Sequence, residues 1–85
     1  MTIISYTLGS ESGNIAWAAS ESFDELRGKT YQLGKMEAVE IVKLENLSLT
    51  AKILLSAVAG ALIQHLLDQG HSPDQISQIG KFTIN

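Results

Sequence analysis

Ser48-Leu-Thr-Ala-Lys52-Ile-Leu-Leu-Ser56-Ala-Val-Ala-Gly60-Ala-Leu-Ile-Gln64-His-Leu-Leu-Asp68-Gln-Gly70 is the most legible run in the chain. It carries its own start and stop signals. Ser48 is an N-cap residue type, able to accept a hydrogen bond from a first-turn N–H, and Gly70 can take the left-handed conformation that closes a helix. From Leu49 to Gln69, Lys52, Ser56, Gly60, Gln64 and Asp68 recur at every fourth position and form one slowly drifting stripe. Nearly everything else is apolar. The uncharged apolar part, Ile53 to Ile63, has eleven residues, against about 20 for a bilayer crossing, so the run is expected as a buried helix without a membrane role.

Downstream, Ser72-Pro-Asp-Gln75 has capping-box spacing, with Pro73 at the first helical position, where its missing N–H costs nothing. A short helix is expected to about Ile79, with a stop at Gly80 and an edge strand over Phe82 to Ile84. Upstream, Ile4, Tyr6 and Leu8 alternate with Ser5 and Thr7 as in a half-buried strand. Gly9 to Asn14 reads as a turn cluster, and Ile15, Trp17 and Ala19 share one face of a second strand, so the two runs form an antiparallel hairpin. Ser22-Phe-Asp-Glu25 matches another capping box and predicts a short helix ended by Gly28. Lys29 to Leu33 and Met36 to Glu45 mix β-branched residues with helix formers; they are assigned to strands joined near Leu33-Gly34-Lys35. The sum is one α+β domain over residues 1–85: a small antiparallel sheet packed against one long apolar helix, with short capped helices.

Composition narrows the chemistry. Eighty-five residues bury only a modest core, and the absence of cysteine removes disulfides, thiolate nucleophiles and Cys-based zinc patterns, while fitting a cytoplasmic protein. The net charge of −3 argues against nucleic acid as a partner, because phosphate backbones are bound by Lys and Arg. Gly28-Lys29-Thr30 has the ending of a phosphate-binding loop, but Phe23 occupies the position where its first glycine belongs. His65, His71, Asp68 and Asp74 offer no ligand set with metal spacing. No serine lies in a nucleophile-elbow sequence, and neighbouring acids such as Glu37 and Glu40 read as solvated. Neither an enzyme nor a cofactor is expected.

Binding to another protein is the function that remains. The stretch from Gly9 to Glu25 carries four acids, Glu11, Glu21, Asp24 and Glu25, and no base. With Trp17 and Phe23 as aromatic anchors inside a charged rim, these six residues are the expected contact with a larger protein, in the manner of a small acidic inhibitor or adaptor such as a phage anti-defence protein. The bland alternative makes Trp17 and Phe23 core residues with solvated acids around them. The long helix is apolar almost all round, whereas an ordinary surface helix shows one apolar stripe. It also places Ser56 four residues before Gly60, and Ala57 four before Ala61, small residues that let another backbone come close. These four are the expected self-association surface of a homodimer. Two further readings are a nucleic-acid-associated regulator using the helix-turn-helix-like corner from Leu66 to Gly80, and an enzyme subunit whose site is completed across an oligomer.

Overall fold

The computed structural model describes residues 2–17, 23–33, 37–38 and 46–85. In chain order the elements are β1 (Thr2–Leu8), β2 (Glu11–Trp17), β3 (Thr30–Gln32), β4 (Glu37–Ala38), α1 (Leu49–Asp68), α2 (Pro73–Ile79) and β5 (Lys81–Ile84). The strands form one antiparallel sheet in the order β2-β1-β5-β3-β4, with the helices beside it. The class is α+β.

Alternation along β1 sends Ile4, Tyr6 and Leu8 inward. The β1–β2 hairpin closes tighter than the composition of residues 9–14 implies. Leu8 pairs with Glu11, so only Gly9 and Ser10 form the turn, and Gly9 supplies the positive φ of 62° that such a turn demands. Ser12, Gly13 and Asn14 are strand residues. Gly13 is tolerated there because it lies opposite Tyr6, whose ring occupies the space over it: a Cβ on Gly13 would sit 2.5 Å from the phenol oxygen.

The expected helix from Ser22 to Gly28 is not found over its described part. Residues 24–26 form a turn closed by the Leu26 N–H on the Phe23 carbonyl at 2.8 Å, and Arg27 bridges to Ile84 instead of continuing a helix. Gly28 does take a positive φ, 75°, but in a turn that points its N–H at the Ile84 carbonyl. Ser22 itself, and the segments 34–36 and 39–45, lie outside the described residues.

α1 begins and ends where its caps require. The Ser48 hydroxyl accepts from the Ala51 N–H, Gly70 has φ 94°, and the N–H groups of Gly70 and His71 return to the Leu67 and Leu66 carbonyls at 3.0 and 3.1 Å. This is the paired bonding of a Schellman closure. Ser72 and Gln75 then complete a reciprocal capping box with Pro73 at the first position of α2. The inward face of α1 is Ala51, Leu55, Val58, Ala59, Leu62 and Leu66, which join Ile4, Tyr6, Leu8, Tyr31, Phe82 and Ile84 in the core. By length and composition alone α1 would suffice to cross a bilayer, and only 33% of that window is buried inside the fold, so the expectation of a buried helix holds for its inward face alone.

β5 departs most from expectation. It is the central strand and no edge, paired to β1 on one side and β3 on the other. Phe82 and Ile84 are accordingly buried, and the Phe82 ring lies 5.4 Å from that of Tyr31. The edges of the sheet are β2 and β4.

Candidate functional site

The described residues of the acidic stretch do not form one surface. Glu11 and Trp17 are the two ends of β2, which at about 3.3 Å per residue puts them roughly 20 Å apart. Glu11 reaches His71 at 3.0 Å, next to the α1–α2 corner. Trp17, half-buried, meets the edge of Phe23 with ring centroids 6.4 Å apart. Phe23 is 1% exposed and cannot anchor a partner; it belongs to the core cluster with Leu26, against which Trp17 packs. Asp24 lies 3.4 Å from the Arg27 guanidinium. Glu25 is engaged by the start of α1: the Ser48 hydroxyl donates to it at 2.6 Å and the Ser48 N–H at 3.1 Å. Those bonds, with help from Lys29, hold its carboxyl below the usual carboxylate range. Glu21 is outside the described residues.

The two imidazoles are likewise taken up by the fold. His65 Nε2 lies 3.3 Å from the Tyr6 hydroxyl and 3.0 Å from the Gln69 amide nitrogen, and His71 faces Glu11. Among the described residues, no three His, Asp or Glu side chains converge as a metal would need. Lys29 of the Gly-Lys-Thr sequence donates to the Glu25 carbonyl, and Thr30 pairs its hydroxyl with that of Thr83, so neither is arranged around a phosphate.

The open face of the sheet carries a shallow concavity of about 380 Å³ lined by Ser5, Thr7, Asn14, Thr30, Lys81 and Thr83 among others. Strand register explains the composition: Ser5 stands between Asn14 and Thr83, and Thr7 between Ser12 and Lys81. Hydroxyls and one ammonium can hydrogen-bond a polar group. They cannot be activated as nucleophiles by the histidines, because Tyr6 and Glu11, which hold His65 and His71, point to the other side of the sheet.

The outer face of α1 has a different character. Leu49, Ile53 and Leu67 are 73%, 61% and 39% exposed, and they are the exposed large hydrophobic residues among those described. Ser56, Ala57 and Gly60 lie between them on the same outward side, with Ala61 half-buried at its margin. The structure therefore brings the four small residues to one surface but adds three large ones that sequence reasoning did not single out. Their signal was present as spacing: Leu49, Ile53, Ser56, Gly60, Ile63 and Leu67 recur at alternating steps of four and three, a heptad seam. An all-round apolar helix hides such a seam, because the core face is equally apolar. Comparisons with protein-family models, curated proteins and solved structures find no match to this chain.

Proposed function

We propose that this chain is a non-catalytic protein-binding module, of the inhibitor or adaptor kind, whose contact surface is the outer face of α1. The observation that carries this reading is the exposure of Leu49, Ile53 and Leu67 on one side of one helix. Single exposed apolar residues are ordinary, whereas three on one helix face, with small Ser56, Ala57 and Gly60 exposed between Ile53 and Leu67, leave a face that a partner can approach closely. Lys52 and Gln64 flank that face as a polar rim. The chemistry-bearing side chains elsewhere support the same reading, since the histidines and Glu25 are bonded within the fold.

Photo-crosslinking tests it. A benzophenone amino acid at Ile53 is expected to form protein adducts in cells, and the same group at Thr7, on the open sheet face, is expected to form none. Adducts from Thr7 alone, or from neither position, would overturn the reading.

A further inference from the structure

The concavity on the open face of the sheet is one-sided in its hydrogen bonding. Ser5 Oγ accepts from the Asn85 amide nitrogen at 3.0 Å, which leaves its own proton to donate outward. Thr30 and Thr83 share a hydroxyl hydrogen bond at 3.2 Å, so one of their protons is used and the other is free. The side chains of Thr7, Ser12 and Lys81 have no partner among the described residues. Each of these groups can donate into the concavity, and the Lys81 ammonium can do nothing else. The ligand that uses them together is rich in acceptors and poor in donors.

Charge points the same way. Among the described residues no carboxylate lines the concavity, and Lys81 is its one charged group. In a chain of net charge −3 that is a local reversal of sign. Glu11, the acid of β2, is held by His71 on the opposite face, and Glu37 stands two strands from Lys81 in register. A metal cation would find no anionic ligand here. A sugar donates as readily as it accepts and stacks on aromatic faces, whereas the Tyr6 and Phe82 rings are turned into the core. A nucleic-acid backbone needs several bases to neutralise its phosphates.

Spacing then sets the shape. Ser5 faces Thr83 across neighbouring strands, as Thr7 faces Lys81. Strands about 4.8 Å apart, with same-face residues about 6.8 Å apart along each, make a quadrilateral whose centre is about 4 Å from every Cα. A group seated above that centre is in reach of all four side chains. A tetrahedral oxyanion turns three oxygens towards them, a carboxylate only two.

We propose that this concavity binds a tetrahedral oxyanion, the phosphate or sulfate group of a small soluble molecule, over the centre of Ser5, Thr7, Lys81 and Thr83. With one ammonium in a shallow site, the bare ion binds in the millimolar range.

Titration of the 15N-labelled protein with sodium phosphate, and separately with sodium sulfate, at constant ionic strength tests it by NMR. Saturating shifts are expected at the backbone amides of Ser5, Thr7, Lys81 and Thr83, and the tighter ion names the group. Lys81→Gln should weaken binding about tenfold and Lys81→Arg should retain it, since the charge-assisted bond carries most of the affinity. Thr7→Val, which keeps the shape and loses the hydroxyl, should weaken it about threefold. Lys52→Gln, on α1, should leave it unchanged, and melting curves report that each variant is folded.

Shifts that fail to saturate, or that appear equally around Lys29 and Lys52, would be general screening and would overturn the site. Undiminished binding by folded Lys81→Gln would do the same. Acetate bound as tightly as phosphate would overturn the tetrahedral assignment, and saturating shifts with methyl glucoside in place of phosphate would make the ligand a sugar. All of these outcomes leave the α1 face untouched, because its test is the adduct at Ile53.

Discussion

Gly13 and Gly60 are both glycines inside regular elements, and the structure gives them opposite meanings. At Gly13 the side chain of Tyr6 stands where another would go, with its phenol oxygen and two ring carbons between 2.5 and 2.9 Å of an added Cβ. Gly13→Ala is expected to destabilise the fold by about 1–3 kcal/mol, the usual range for overpacking, measured by urea unfolding. Tyr6→Phe in the same background should recover part of that loss, because the phenol oxygen is the nearest atom. At Gly60 the surroundings are open, so Gly60→Ala should stabilise the dilute monomer by about 1 kcal/mol through helix propensity alone, a rise of about 4–8 °C in melting temperature for a domain of this size. A loss of stability there would mean that something in the monomer contacts the site. Tyr31 supplies an alkaline prediction. Burial raises the pKa of its hydroxyl, so the stability it contributes is complete below about pH 10, the ordinary tyrosine value, and falls as pH rises through the higher folded value. Tyr31→Phe should flatten that limb.

At the scale of elements, α1 is held at its N-terminus by a side chain from a distant turn. Ser48 caps the helix internally through Ala51, and Glu25 accepts from the Ser48 hydroxyl and N–H in turn. A carboxylate near a helix N-terminus also meets the positive end of the dipole. Because these bonds lower the Glu25 pKa, its contribution is present above the ordinary carboxylate range and is lost as pH falls through the lowered folded value. Wild type and Glu25→Gln should therefore differ in urea midpoint at pH 7, and the difference should shrink as pH falls through the lowered folded value. A difference that persists in acid would remove the carboxylate from this role. The capping-box spacing at Ser22 to Glu25 predicted a helix that residues 23–28 do not form, and Glu25 accepts from Ser48 on another element.

For the whole molecule, the position of β5 dominates. A strand from the C-terminal end of the chain lies at the centre of the sheet, with β1 on one flank and β3 on the other, so no part of the core closes without it. Phe82→Ala should cost about 3–5 kcal/mol, a large fraction of a total stability of order 5–15 kcal/mol. Ile15→Ala, on the edge strand β2 and half-buried, should cost distinctly less. Urea titrations of the two variants compare them directly; equal losses would contradict the asymmetry between centre and edge.

The ends of α1 and α2 were legible residue by residue, since caps are local chemistry: a hydroxyl at Ser48 or Ser72, a glycine at Gly70, a proline at Pro73. Hydrophobic alternation similarly determined β1 and its inward face. What the chain could not announce locally was strand order, because Phe82 and Ile84 look the same in sequence at an edge or at the centre, and only pairing on both flanks distinguishes them. The acidic stretch was judged as a neighbourhood in sequence, yet an extended strand carries consecutive residues apart, so Glu11 and Glu25 end up serving different corners of the fold. The outer face of α1 depended on tertiary structure as well. A helix apolar on all sides does not say which side the sheet will cover, and only the packing of Leu55, Leu62 and Leu66 inward leaves Leu49, Ile53 and Leu67 facing out.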